Sequence, residues 1–174
     1  MASEPTQGKL DHFYLYWIAQ IWYEMAVAGG WGAGLQAPDV TYNQNRLLKI
    51  WANAVYARSP GTLKAPDQNC TDNVYLYNIA TNLNVACPTY TVGQGRPDQV
   101  YLYIIASCLY TFAVSGGVFP LYAAPNQGDT FNRLLLKIDS LSYEMEAGPF
   151  STTCIPGFAA AHHAFSAGFS SGFY

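Results

Sequence analysis

The side chains that could ligate a metal or carry a proton are few in this 174-residue chain, and their spacing serves neither purpose well. His162 and His163 are adjacent, so they point to different sides of a helix or strand. No carboxylate and no Cys-His spacing stands near them, so no metal ligands are expected. They read as a polar spot in a terminal interface segment, and His12 reads as a surface residue beside a helix start. The four cysteines (Cys70, Cys87, Cys108 and Cys154) have neither CxxC pairing nor regular spacing. They read as small packing residues, and nothing in the pattern supports a Cys70–Cys87 bridge. Glu144 and Glu146 lie two apart and face different directions on a helix, which makes no acid/base pair. No GxSxG or SxxK frames a serine nucleophile. The chain therefore reads as a non-enzyme with no catalytic residues and no cofactor.

The aromatic residues, 16% of the chain, are the better lead. Tyr14, Tyr16 and Trp17, then Tyr75 and Tyr77, then Tyr101 and Tyr103, flank a recurring leucine on both sides. Those facing inward are ordinary core. Tyr14, Trp17, Tyr75 and Tyr101 are expected to be exposed interface rings, because Tyr and Trp give large contact area at low entropic cost. Stacking on a glycan is the rival use. Residues 150–174 contain no Asp, Glu, Lys or Arg, yet carry Phe158, Phe165, Phe169, Phe173 and Tyr174. Such a segment is a solubility hazard on a free monomer, so it reads as an assembly arm covered by a neighbouring subunit.

These residues are positioned by a repeat. Five nine-residue segments align without gaps: DHFYLYWIA (11–19), NQNRLLKIW (43–51), DNVYLYNIA (72–80), DQVYLYIIA (98–106) and FNRLLLKID (131–139). The fifth position is always Leu: Leu15, Leu47, Leu76, Leu102 and Leu135. Three residues later stands Ile in every copy: Ile18, Ile50, Ile79, Ile105 and Ile138. A proline precedes each copy (Pro5, Pro38, Pro66, Pro97, Pro125) and a Gly or Pro follows it (Gly29, Pro60, Pro88, Gly116, Gly148). Between these marks the apolar residues fall at helical spacing, as in Leu134, Ile138, Leu141 and Met145. Five helices are predicted, near 11–28, 42–58, 72–86, 98–115 and 131–146. Asp11, Thr41 or Asn43, Asp72, Asp98 and Thr130 are the predicted N-caps. The pairs Gly29-Gly30 and Gly116-Gly117 close helices rather than cradling phosphates.

Composition bounds the partners. Only 11% of residues are charged against 51% hydrophobic, where soluble chains carry roughly 25% charged residues. Much of the exterior should therefore be covered by other subunits. A net charge of −3 and scattered basic residues argue against nucleic acid. Residues 13–28 mimic a signal peptide and 100–124 mimic a membrane span, but these are copies one and four of the repeat. Copies two and five carry Arg46 and Lys49, or Arg133 and Lys137, so the unit is a soluble packing unit.

The segments TYNQNRLLKIWANAV, APDQNCTDNVYLYNIATNL and GDTFNRLLLKIDSL resemble a helical repeat in structural proteins of tailed bacteriophages, over roughly residues 11–146. Copies one, three and four depart from it, with Tyr, Trp, Asn or Ile in place of the basic residues. The resemblance implies a virion component (tail, fibre, collar or capsid decoration) assembled in the host cytoplasm, with no catalytic residues to carry over. The expected fold is all-α: five amphipathic helices with their Leu/Ile faces buried, as a compact bundle or short solenoid. A small β element from the Gly- and Tyr-rich loops is the runner-up. Residues 1–149 form the helical-repeat domain and 150–174 the uncharged aromatic arm. The expected partners are copies of the chain and other virion proteins. The alternatives are a membrane-associated helical protein and a carbohydrate-binding adhesion module.

Overall fold

A computed structural model describes residues 5–58 and 63–147. Five helices account for the regular structure: α1 (Asp11–Ala28), α2 (Gln44–Arg58), α3 (Asp72–Ala86), α4 (Asp98–Ser115) and α5 (Phe131–Ala147). No strand occurs among the described residues, so the β alternative is set aside. Among the same residues no helix is long and apolar enough to cross a membrane.

Each helix packs on the one before and the one after it, and α1 packs on α5. The bundle is thus a closed ring of five, where a solenoid would leave its first and last helices apart. All five helices start at the same end of the ring. Each connection then returns along the outside of the helix that follows it. Contacts from α3, α4 and α5 show this path. Asn82 of α3 accepts from the Leu63 N–H at 2.8 Å and donates back to the Leu63 carbonyl. Glu144 of α5 accepts from the Leu121 N–H at 3.2 Å. The Tyr90 ring meets Tyr103 of α4 edge-on at 6.0 Å, while Asn84 of the preceding α3 clamps Tyr90 through both its backbone groups.

The repeat Leu and Ile of every copy lie in the core, none more than 5% exposed. Burial is not confined to one face of each helix. In α4 six consecutive residues, Ile104 to Leu109, are buried. Their inner sides meet the ring and their outer sides meet the returning connections, so a two-sided apolar surface is needed.

Helix ends follow local chemistry. Asn43 accepts from the Arg46 N–H at 2.8 Å and Thr130 from the Arg133 N–H at 3.2 Å, so these two cap α2 and α5 as expected. Asp11, Asp72 and Asp98 are not caps. The cap positions belong to Leu10, Thr71 and Pro97, and only Thr71 among these uses its side chain. Each aspartate sits one residue later, in the first turn, where a carboxylate still opposes the helix dipole favourably. At the other end, Gly30 and Gly117 take positive φ of 87° and 83°. The following Trp31 and Val118 then donate back to Ala26 and Ala113, five residues earlier, at 2.8 and 2.9 Å. This left-handed turn stops α1 and α4, and glycine adopts it without a Cβ penalty.

Candidate functional site

The polar residues of the repeat prove to be architectural. At the end where the helices start, each copy hands a side-chain N–H to the next. His12 donates to the Val40 carbonyl just before α2 at 2.7 Å. Gln44 and Asn45 both donate to the Asp72 carboxylate, and Asn45 also donates to the Cys70 carbonyl. Asn73 donates to Asp98 and to the Arg96 carbonyl, at 2.7 and 2.6 Å. Gln99 donates to the Asp129 carbonyl. Asn132 closes the circuit onto Asp11 and the Lys9 carbonyl. The belt therefore consumes the carboxylates that looked like caps.

A second device sits at the fourth motif position, and it corrects the interface reading. Tyr14, Tyr75 and Tyr101 are no more than 1% exposed, so they are not surface rings. Each hydroxyl pins the turn that leads into its own helix. It accepts from the backbone N–H five residues earlier (Lys9, Cys70, Arg96) at 3.1–3.3 Å. It donates to a carbonyl seven or eight residues earlier, on Thr6, Gln68 or Gly93. Burial is affordable because both bonding capacities of the phenol are met. In copy five, which has Leu134 at this position, Lys137 holds the turn instead. Its ammonium donates to Asp129 at 2.6 Å and to the Ala124 carbonyl at 3.1 Å. Burial opposes ionisation of Asp129, yet Lys137, the Asn126 N–H and Arg133 hold its carboxyl below the usual range. Trp17 is half-buried and stacks edge-on with Tyr16 at 5.0 Å. The other expected interface residues, Phe158, Phe165, Phe169, Phe173 and Tyr174, lie outside the described residues, as do His162 and His163.

Two carboxylate sites escaped the sequence reading. Asp139, on the inner flank of α5, is completely buried, and neither carboxylate oxygen has a hydrogen-bond partner. Burial pushes its carboxyl up to about 8. It lines a pocket of about 300 Å³ with Thr6, Lys9, Phe13, Tyr14 and Trp17. The signal was present at the ninth motif position, where copies one, three and four have Ala19, Ala80 and Ala106, copy two has Trp51, and copy five has this acid.

The second site gathers Glu24, Arg58 and Glu146 where α1, α2 and α5 end. Burial, then the adjoining Glu24 carboxyl, raises Glu146 above its ordinary value. Burial works against Glu24 as well, but hydrogen bonds from Glu146 and Gln20 carry it below the usual range. Of the two carboxyls, Glu146 is the one whose protonated form burial favours. Arg58 is 1% exposed, with its guanidinium 6.0 Å from the Trp31 ring. Burial lowers it, and Glu146 acts in the opposite direction. Three groups far apart in sequence meet here only because the ring closes.

Cys70, Cys87 and Cys108 are free thiols. Cys87 and Cys108 are buried neighbours, and burial raises Cys108 well above an ordinary thiol. Among the described residues no group of three or more His, Cys, Asp or Glu side chains could hold a metal ion. Compared with known proteins, the chain matches no family model, no curated protein and no solved structure.

Proposed function

We propose that the chain is a non-enzymatic structural subunit of a tailed-bacteriophage virion, a tail, fibre, collar or capsid-decoration component. It works by self-association and by docking onto other virion proteins. The observation that carries this reading is the use made of the repeat. The motif's polar and aromatic side chains hold one helix to the next and each turn to its helix, so the repeated residues serve construction. The apolar side chains left over support association. Phe119 is 94% exposed and Leu121 57% exposed on the connection between α4 and α5, beside Val114 at 49%. Large apolar side chains in that state serve as anchors for a second surface. The charge-free stretch 150–174 adds to the same account.

Sedimentation of the full chain tests the proposal. The full chain should form a defined oligomer, and Phe119→Ser with Leu121→Ser should weaken it. Removing residues 156–174 should leave a folded helical domain that no longer assembles. A full chain that stays monomeric at the highest soluble concentration sinks the self-association reading. A truncated chain that still assembles normally, or that unfolds, ends the arm hypothesis.

A further inference from the structure

We propose that the pocket between the N-terminal segment, α1 and α5 is a binding site for an alkylammonium group, with Asp139 as its counter-ion and Phe13, Tyr14 and Trp17 as its walls. A lysine side chain of a partner and a small free amine share this chemistry.

The fold gives no reason for an acid at this position. The same motif position is a fully buried apolar residue in every other copy, alanine in copies one, three and four and Trp51 in copy two, so packing there calls for no charge. An isolated carboxyl costs stability when it is taken from water without a partner. Asp139 has none: both oxygens lack hydrogen bonds, and no ion pair joins it to Lys9, whose side chain is exposed at the rim. Elsewhere in the ring each aspartate of a helix start receives a neighbour's amide, so this unpaired acid is an exception to the molecule's own pattern.

The walls select the ligand. Aromatic faces attract a cation, and the attraction grows in a desolvated site. Phe13 is 40% exposed and leaves the pocket open to solvent on that side, while Tyr14 is fixed by its two bonds to Thr6 and Lys9. An anion would meet the carboxylate, and a metal ion would find a single acidic ligand. A pocket of about 300 Å³ admits an unbranched alkylammonium chain. The proton balance is simple. The neutral acid loses its proton to solvent as the ammonium ion enters, and an ion pair remains. The groups facing the acid are Tyr14 from α1, Lys9 from the N-terminal segment and Tyr122 from the α4–α5 connection, beside Tyr14. Lys9 carries a positive charge whose repulsion is felt at the rim, and the Asp11 carboxylate of α1 lies near Tyr14, where it favours a cation.

Titration calorimetry of the full chain with n-butylammonium chloride and with n-butanol tests the site. The amine should bind at least about tenfold tighter than the alcohol of the same length, a difference that only charge recognition supplies. Affinity should rise from about pH 6 to about pH 8 as the acid ionises more readily. Asp139→Asn should lose at least about tenfold in amine affinity while keeping the helical circular-dichroism spectrum. Should that variant fail to fold, Phe13→Ala tests the wall at a half-exposed position and should also weaken amine binding. N-acetyl-lysine N-methylamide separates the two sources: tighter binding than butylammonium marks a partner's lysine, and equal or weaker binding marks a free amine. Equal affinity for amine and alcohol overturns the proposal, as does undiminished binding by Asp139→Asn. Amine binding seen only in Lys9→Ala overturns it too, because Lys9 itself would then be the occupant.

Discussion

Asn132, at the start of α5, donates one side-chain amide to the Asp11 carboxylate at 2.7 Å and to the Lys9 carbonyl at 2.9 Å. The two residues are 121 positions apart in the chain, and their contact is what turns a row of helices into a ring. Replacing Asn132 by Ala leaves a partly buried carboxylate and an exposed carbonyl short of a donor. We expect a loss of about 1–3 kcal/mol in urea unfolding. A loss below about 0.5 kcal/mol would show that apolar packing of α1 on α5 closes the ring unaided.

Tyr75 carries its hydroxyl into a place with 0% exposure, between the Cys70 N–H and the Gln68 carbonyl. Tyr75→Phe keeps the ring and removes both bonds. Stability should drop by about 1–3 kcal/mol, since two backbone groups lose their partner. Protease cleavage should also accelerate in the turn before α3. Unchanged cleavage there would mean that the turn is held by other contacts.

Ile138 is fully buried, and Ile stands at its motif position in all five copies. Truncation to Ala should cost about 2–5 kcal/mol, the range for a buried aliphatic side chain in a core that relaxes little. Thermal and denaturant unfolding both report it.

Asp139 predicts a pH dependence whose direction is fixed by its burial. In the unfolded chain the carboxyl titrates near about 3.9, whereas in the ring burial pushes it up to about 8. Below about pH 4 both states hold the proton and no penalty exists. As pH rises from about 4 to about 8, the unfolded state ionises first and the native chain loses stability. Above about 8 the loss levels off. Asp139→Ala removes this term. In amine-free phosphate buffer it should therefore gain on the order of 3 kcal/mol at pH 7 relative to its effect at pH 4. A stability difference that does not change with pH would mean that the acid is ionised and partnered in solution.

The helices and their inward Leu and Ile were legible because both are local matters. Helical spacing, prolines ahead and glycines behind fix where Leu102 and Ile105 must sit, whatever their neighbours do. The interface tyrosines were misread although the signal was in the sequence. Tyr14 stands four residues before Ile18, on the same helix face, and the same holds for Tyr75 with Ile79 and Tyr101 with Ile105. The large contact area that Tyr offers an interface pointed outward, and the carbonyls of Thr6, Gln68 and Gly93 that receive the hydroxyls are brought near only by the returning chain. The same cause hid the partners of Asp72 and Asp98, which lie on the preceding copy. Ring closure, and with it the meeting of Glu24, Arg58 and Glu146, depends on how four connections run, and no periodicity records that.

Because every helix starts at the same end, their backbone dipoles add rather than cancel. Each contributes about half an elementary positive charge at its first turn and the opposite at its last. Asp11, Asp72 and Asp98 in the first turns offset the sum at one end. At the other end α1, α3, α4 and α5 have no basic residue in the last turn, and the Arg58 of α2 is buried. The ring is therefore an electrically directional object with one neutralised face and one residually negative face. Two copies approaching through their negative faces repel, while a head-to-tail approach meets no such barrier, and the distinction fades within a Debye length of about 8 Å at physiological salt.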